Sequence, residues 1–206
     1  MDNANNSEST KIIGFHGTDA KSCKNILRKG GNFYISNRED EWAGTGVYFF
    51  IEETGYQMQA YENAYNWSKK VKKVEPNNVR VIQANMSIDS NRIFDLRKRE
   101  AKKLFHTYRN LAHKKLSESA QNENRDIKKT KGNGRVIDCK TINKICAKLK
   151  FQAVIVQQYI NFTKYDYDNC YNYPSSIPNC SVLSLRNQTY ITDKKEVKKE
   201  DVNNGL

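Results

Sequence analysis

Apolar and polar positions along the chain form short segments that predict an α+β domain. Apolar runs bounded by polar residues predict strands at residues 12–15, 47–51, 79–88, 151–156 and 181–185. Two segments between these runs, one from Thr18 or Asp19 to Gly30 and one over 56–70, repeat apolar residues at helical spacing. Both segments therefore predict amphipathic helices that cover the strands.

A segment in the middle of the chain has a different pattern. One predicted helical face is apolar, with Ala101, Leu104, Phe105, Tyr108, Leu111 and Ala112. A second face carries Arg99, Lys102, His106, Arg109 and His113. We interpret residues 97–150 as a basic helical insertion, with a loop at 117–136 and a short helix at Ile142–Leu149. The whole is one domain over 11–193, between disordered residues 1–10 and a charged flexible tail at 194–206.

Composition limits the class of protein. A chain of 206 residues is long enough for one stable core, and its 11% aromatic residues favour a folded protein over a disordered one. No apolar run is long enough to span a membrane, and residues 1–10 do not form a signal peptide. The five cysteines are odd in number and lack CxxC pairs, which predicts reduced thiols, a cytoplasmic location and no metal site.

The net charge of +12 is confined to one part of the chain. Residues 97–150 contain 17 basic and 5 acidic residues, whereas the remaining residues carry 18 of each sign. A neutral body with a basic insertion predicts contact with an anionic partner, either a nucleic acid or an acidic protein surface. The alternative is a solvated helix that only increases solubility.

The candidate chemistry lies in two motifs near the N-terminus. A predicted strand ends in His16-Gly17-Thr18, and Gly44-x-Gly46 precedes the strand that contains Tyr48. Glycine permits close approach of backbone to a flat ligand, imidazole exchanges hydrogen bonds with hydroxyls, and a rigid phenol stacks on planar rings. Each motif alone is weak evidence, but their order and spacing, with a helix between them, are much more specific.

With these motifs the chain resembles ADP-ribosyltransferases of the poly(ADP-ribose) polymerase-like branch, which carry H-G-[ST] and G-x-G-[IV]-Y-F. It is most similar to compact bacterial toxins of phage-defence and toxin–antitoxin systems. The resemblance is strong over residues 11–70, weaker over 79–96 and 151–192, and absent over 97–150. It implies a split β-sandwich with peripheral helices, NAD as a consumed substrate, and a possible cognate antitoxin.

The resemblance also implies roles for individual residues. His16 and Thr18 belong to the motif that binds the adenosine ribose of NAD, the Gly17 backbone pairs with the nicotinamide carboxamide, and Tyr48 stacks on the nicotinamide ring. Bound in this way, the dinucleotide is bent between the two motif side chains, which would face each other across a cleft. Arg38, in the loop between the motifs, is a candidate for contact with the pyrophosphate.

The chain departs from the family at the third catalytic position, where a late strand often carries Glu. This position aligns with Cys180, or with Asn179 or Ser181 if the register differs, and none of these is acidic. Glu52 or Glu53 is a candidate source of the missing charge. The alternatives are transfer of single units without an acid, or loss of activity.

The acceptor is predicted from the basic insertion and from a tyrosine-rich loop at 159–180. Tyr165 and Tyr167 suit stacking on unpaired bases, and four cations suit phosphate contacts, namely Arg99, Lys102, Lys103 and Arg109. The leading hypothesis is a mono-ADP-ribosyltransferase toxin that modifies nucleic acid, above all RNA. The alternatives are a protein-modifying effector and an inactive module that binds NAD, ADP-ribose or RNA.

Overall fold

A computed structural model of the chain describes residues 8–52, 57–122, 134–162 and 177–203. The strands are β1 (Ser9–Asp19), β2 (Val47–Ile51), β3 (Val79–Asp89), β4 (Ile93–Asp95), β5 (Ala153–Gln158), β6 (Cys180–Leu185) and β7 (Ile191–Val197). The α-helices are α1 (Ala20–Leu27), α2 (Gln57–Asn66), α3 (Arg99–Asn122), α4 (Gly134–Leu149) and α5 (Lys199–Asn203). A π-helical turn, Trp67–Val71, continues directly from α2.

The strands form one mixed seven-stranded sheet in the order β4-β5-β6-β2-β1-β3-β7. The β4–β5 pair is parallel, and the other neighbouring strands are antiparallel. The predicted α+β class is therefore confirmed. The strands predicted at residues 12–15, 47–51, 79–88, 151–156 and 181–185 correspond to β1, β2, β3, β5 and β6.

The junction between β1 and β2 is the narrowest point of this sheet. Strand β1 pairs with β3 from Ser9 to Asp19, but with β2 it has only the register pairs Gly14–Ile51 and Phe15–Phe50. The sheet therefore consists of two parts, β4-β5-β6-β2 and β1-β3-β7. On both sides of this junction β1 and β2 do not pair with each other, although β1 pairs with β3 and β2 pairs with β6.

A separate hydrophobic core covers each face of the sheet. On the α2 face, Phe15 and Phe50 pack with residues of α2, α4 and α5. On the α1 face, Phe49 and Ile82 pack with Cys23 and Ile26 of α1. Because successive strand residues point to opposite faces, the two faces are distinguished by alternate positions along β1 and β2.

Three predicted boundaries are wrong. The loop predicted at 117–136 overlaps both helices of the insertion, because α3 extends to Asn122 and α4 begins at Gly134. The tail predicted to be flexible from residue 194 instead completes β7 and forms α5. Val197 and Val202 are buried in the α2-face core, which gives this charged segment its anchors. The residues predicted to be disordered at the N-terminus include the start of β1 at Ser9.

The helices in the described ranges are all too short or too polar to cross a membrane. The two longest, α3 and α4, pack against each other as a helical pair. Partly buried side chains of α3, among them Leu104, Phe105 and Tyr108, pack on the α2-face core. The basic insertion is thus attached to the body by the first part of the predicted apolar face, whereas Leu111 of that face is exposed.

Gly17 is required by the packing of α2 on β1. A Cβ atom at this position would lie 1.9 Å from the carbonyl oxygen of Ala64 and 3.2 Å from the Cβ of Ser68. We expect Gly17→Ala to lower the free energy of unfolding by about 1–3 kcal/mol, because a backbone atom cannot rotate away from the new methyl group. Urea-induced unfolding followed by circular dichroism measures this change.

Gly134→Ala is the matched control for Gly17→Ala. The nearest atom to a Cβ at Gly134 is 3.8 Å away, and the residue begins α4. An added methyl group there should leave stability unchanged or raise it by up to about 1 kcal/mol. Equal stability changes in the two variants would contradict the packing explanation of Gly17.

Candidate functional site

The two sequence motifs meet where β1 and β2 separate. Nδ1 of His16 lies 2.8 Å from the backbone carbonyl oxygen of Tyr48. Because a carbonyl oxygen only accepts, Nδ1 must carry the proton and donate it. In neutral His16 the other ring nitrogen, Nε2, is then a hydrogen-bond acceptor, and it has no protein partner within the described ranges. The imidazole joins the two strands and keeps one acceptor available.

The surroundings of His16 favour its neutral form. Burial lowers the pKa of His16 below its usual value, the bond to the Tyr48 carbonyl partly opposes this, and the positive charge of Lys72 lowers the pKa further. The ring packs edge-on against Phe33 and Phe49, with centroids 5.2 and 5.9 Å away. A neutral imidazole with a free Nε2 can accept a hydrogen bond from a hydroxyl group.

Two lysines contribute positive charge to the surroundings of the imidazole. Lys194 Nζ lies 5.7 Å from the centroid of the Phe33 ring and donates to the Gly31 carbonyl. Burial lowers the pKa of Lys194. Lys72, whose charge acts on His16, is exposed. The acceptor nitrogen of His16 is therefore under the influence of the Lys72 charge, and Lys194 lies over the Phe33 ring that packs against His16. The sequence motifs gave no indication of these two lysines.

Tyr48 is held rigidly on the other face. Its hydroxyl donates to the Gly44 carbonyl at 2.6 Å and accepts from the Ala43 amide at 3.1 Å. Burial raises the pKa of Tyr48, and the negative charge of Glu41 adds to the increase. The phenol is therefore neutral and fixed, so it can serve as a stacking surface but not as a base.

The His16 and Tyr48 rings lie on opposite faces of the sheet. His16 packs with Phe49 in the α1-face core, whereas Tyr48 packs against the α2-face core. The expectation that the two rings face each other across one cleft is therefore wrong. The reason is strand periodicity, since neighbouring residues of β2 point to opposite faces. Gly17 does share the α2 face with Tyr48, while Thr18 is two residues from His16 and thus on its face.

Packing also explains both glycines of the Gly44-x-Gly46 motif. Gly44 has a φ of +71°, which favours glycine, and a Cβ at Gly46 would lie 2.2 Å from Ser184 Oγ. The Thr45 amide between them donates to Asn143 Oδ1 at 2.8 Å, and this oxygen also accepts from Arg186 at 2.8 Å. The turn that positions Tyr48 is thus held by α4 and by the residue after β6.

The predicted third catalytic residues do not lie beside Tyr48. Cys180 is buried and donates to the Gln158 carbonyl, while the Asn179 amide bonds both the N–H and the C=O of Ile160. The register of β2 and β6 places Ser184, not Cys180, opposite Tyr48. Ser184 is fully buried. Ser184 can be identified only when the register of β2 and β6 is known, and the sequence does not give this register.

Glu52 is also distant from Tyr48, because it follows the opposite end of β2 and lines a cavity there. Four residues of extended strand span roughly 13 Å. Glu53 lies outside the described residues. The carboxylate whose charge reaches Tyr48 is Glu41, which accepts a hydrogen bond from Ser36. Its position just before Trp42 and the glycine motif was the available sequence signal.

The π-helical turn after α2 adds two features beside Gly17. Ser68 is fully buried, and its Oγ has no partner among the described residues. Trp67 packs edge-on against Trp42, with ring centroids 5.3 Å apart. π-Helical turns are rare and frequently occur at functional sites, and a buried hydroxyl without a partner is costly. The α2 face thus offers an indole pair and an unsatisfied hydroxyl close to Gly17.

The predicted cations have different surroundings. Arg38 is exposed and bonds Asp40 through two nitrogens, both 3.1 Å from the carboxylate oxygens. Arg109 pairs with Asp138 of α4 at 2.5 Å, so it joins the two helices of the insertion. The remaining three, Arg99, Lys102 and Lys103, are exposed and have no ion pair within the described ranges. Tyr165 and Tyr167 lie outside the described residues.

No metal-binding group of three or more His, Cys, Asp or Glu side chains occurs in the part of the chain that the structure describes.

Comparison with known proteins gives no functional assignment. No family model and no solved structure matches the chain. The uncharacterized protein MJ0359 of Methanocaldococcus jannaschii is 33% identical over 91 residues, which cover 44% of this chain and 40% of that protein. The chain thus spans under half the length of that relative.

The lowered pKa of His16 predicts a pH-dependent contribution to stability. Because folding favours the neutral ring, this contribution is complete above the unfolded-state pKa of about 6.5 and is lost as the pH falls toward the folded-state pKa. We expect wild-type protein to lose more stability between pH 8 and pH 5 than His16→Asn, which keeps a donor for the Tyr48 carbonyl but does not titrate.

Urea unfolding of both proteins at the two pH values measures this difference. His106→Asn is the control, because His106 is exposed on α3. It should lose as much stability as the wild type. An equal loss in all three proteins would show that His16 is not the group responsible.

Proposed function

We propose that this chain is an NAD-dependent mono-ADP-ribosyltransferase whose acceptor is RNA. The single observation that carries the proposal is the hydrogen bond from His16 Nδ1 to the Tyr48 carbonyl. It brings the two motifs of the family resemblance into contact and leaves Nε2 as an acceptor. A ribose hydroxyl is a suitable donor to this nitrogen. The motif resemblance supplies the reaction class, and the contact supports it.

The charges on the two faces of the junction also suit NAD. NAD has an anionic pyrophosphate and a cationic nicotinamide ring. The Lys72 charge acts on His16, Lys194 lies over the neighbouring Phe33 ring, and the Glu41 charge acts on Tyr48. This separation supports binding of the adenosine side near His16 and the nicotinamide side near Tyr48. The dinucleotide would cross the gap between β1 and β2 rather than lie between two facing rings.

The proposed reaction breaks the bond between the nicotinamide nitrogen and the anomeric carbon of ribose. The bonding electrons leave with neutral nicotinamide, an acceptor oxygen or nitrogen forms the new bond to that carbon, and the acceptor proton goes to solvent. The transition state resembles an oxocarbenium ion, so positioning and negative charge contribute most. Glu41 is the residue assigned to charge stabilisation, and Tyr48 provides a neutral ring for stacking.

The choice of RNA as acceptor is supported by the basic insertion. Three cations of α3 are exposed, and the apolar side of this helix is docked on the body. Such a surface suits phosphate contacts, whose strength falls as salt increases. A protein acceptor with an acidic surface is the competing possibility. Toxin activity and a neutralising antitoxin remain parts of the proposal that rest on the family resemblance.

A second candidate function, a binding module without catalysis, is favoured by one observation. The space over Gly17 is filled by the Ala64 carbonyl, so the glycine has a packing role that needs no ligand. This candidate predicts no release of nicotinamide under any condition. Release of nicotinamide from NAD therefore distinguishes the transferase from the binding module.

The first test measures nicotinamide release and the destination of label from NAD labelled in its ADP-ribose part. We expect wild-type protein to release nicotinamide and to label RNA, but not equal amounts of DNA or a protein pool. His16→Ala should reduce the rate at least about tenfold, because one bound hydroxyl loses its partner. His106→Ala is the control and should retain the wild-type rate of nicotinamide release.

Two outcomes of this test contradict the proposal at different levels. Label that enters only protein would exclude RNA as the acceptor but keep the transferase. Absence of nicotinamide from all incubations would instead favour the binding module.

The second test addresses the assignment of Glu41. We expect Glu41→Gln to lower the maximal rate of nicotinamide release at least about tenfold, because a negative charge near the developing cation is lost. Glutamine can still accept the hydrogen bond from Ser36, so the loop should keep its shape. Asp40→Asn is the neighbouring control, since Asp40 pairs with Arg38. Equal rates in the two variants would remove Glu41 from the mechanism.

A further inference from the structure

A second gap in the sheet opens at the other end of the β1–β2 junction. Residues of β1 before Gly14 pair with β3 but not with β2, which ends at Ile51. Strands β4 and β5 border the opposite side of this gap. The result is a cavity of about 480 Å³. This volume lies within the roughly 300–1,000 Å³ typical of small-molecule sites. Neither His16 nor Tyr48 lines it.

The wall of the cavity combines an apolar surface with hydroxyl groups. Four isoleucines from four strands belong to or pack against the α1-face core there, namely Ile12, Ile51, Ile93 and Ile155. Thr10 and Ser90 add hydroxyls that lie 2.7 Å apart, and the Ser90 hydroxyl donates to the Glu8 carbonyl. Thr10 must therefore donate to Ser90, and its own oxygen can accept from a ligand. A flat apolar ring with polar edges fits this surface.

The charged groups of the cavity leave positive charge at its rim. Asp95 is buried, and Arg97 neutralises it through two hydrogen bonds of 2.8 and 2.9 Å. Glu52 is the other carboxylate on the wall. Lys11 and Lys98 are exposed at the rim and form no ion pair with the described residues. An anionic group attached to the flat ring would therefore be attracted to the rim.

The cavity is continuous with the basic insertion. Lys98 lines the cavity and directly precedes α3, which begins at Arg99. The exposed cations Lys102 and Lys103 follow in the first turns of α3. A chain of phosphates that leaves the cavity past Lys98 would thus continue along a cationic helix. A continuous cationic surface of this kind favours a nucleic-acid strand as the ligand over a single small aromatic acid, which would use only the cavity.

We propose that this cavity binds a nucleobase of single-stranded RNA, with the flanking phosphates on Lys11, Lys98 and the start of α3. The inference rests on RNA as the partner in the proposed function, and it adds a binding site remote from the His16–Tyr48 contact. The base packs against the isoleucine wall, and the Thr10 oxygen accepts from its polar edge. The site holds the acceptor strand and performs no chemistry.

The test is fluorescence anisotropy of the full chain, without NAD, on two labelled RNA decamers. One decamer carries uracil throughout, and the other has the same backbone without its central bases. We expect wild-type protein to bind the complete decamer about tenfold more tightly, because the cavity removes the apolar faces of one base from water and supplies one hydrogen bond. Ile93→Phe fills the cavity and should make the two affinities equal. Lys98→Glu should weaken binding to both decamers and reduce the salt dependence.

Controls separate these effects from misfolding and from general charge. Lys21→Glu changes an exposed lysine of α1 and should alter neither affinity by more than about twofold. If Ile93→Phe does not fold, Ile12→Phe fills the cavity from β1 instead. Equal wild-type affinities for the two decamers would overturn the proposal, as would a tenfold preference that survives in a folded cavity-filling variant.

Because NAD is absent from these measurements, they are independent of transferase activity. A protein that labels RNA but lacks the base preference would keep the proposed function and lose this site. A protein that prefers the complete decamer but releases no nicotinamide would keep this site and lose the transferase.

Discussion

The short pairing between β1 and β2 determines how the rest of the molecule is arranged. Two kinds of contact join β1 to β2. The backbones pair at Gly14 and Phe15, and the His16 imidazole donates a hydrogen bond to the Tyr48 carbonyl. Full pairing would have closed both ends of the junction. On one side of the junction β2 ends at Ile51, and the isoleucine-lined cavity lies there. On the other side β2 continues from Phe49 to Val47 in pairing with β6 but not with β1, and the motif residues lie there. Both candidate binding regions are consequences of one incomplete strand pair.

Strand periodicity gives the two faces of the junction different chemistry. The α1 face has the neutral imidazole and Lys194, whereas the α2 face has the fixed phenol and the indole pair, with the Glu41 charge acting on the phenol. A ligand with one kind of charge would fit only one face. A dinucleotide with an anionic and a cationic end could use both, provided that it crosses the sheet where β1 and β2 part. The opposite orientation of the two rings rules out a dinucleotide held between facing rings, so the proposal of NAD binding requires the ligand to pass between β1 and β2.

Local patterns in the sequence predicted the elements well, but not their pairing. Alternating and helical apolar positions identified five strands and the apolar side of α3, because these patterns reflect which residues are buried. The register that places Ser184 opposite Tyr48 depends on contacts between distant segments, so the alignment of Cys180 with the third motif position could not be checked from sequence. The prediction of a flexible tail from residue 194 is wrong for a related reason. Its charged composition conceals Val197 and Val202, which become buried only against other elements.

The glycines of the motifs have packing explanations, which changes the weight of the sequence evidence. Gly17 accommodates α2, Gly44 adopts a positive φ, and Gly46 makes room for Ser184. A fold that keeps these contacts would retain all three glycines even without a ligand. The same is not true of His16, because the bond to Tyr48 uses only one of its two nitrogens. The Nε2 atom has no protein partner among the described residues, so it can accept a hydrogen bond from a ligand. The imidazole of His16, unlike the three glycines, thus has a hydrogen-bonding capacity that packing does not use.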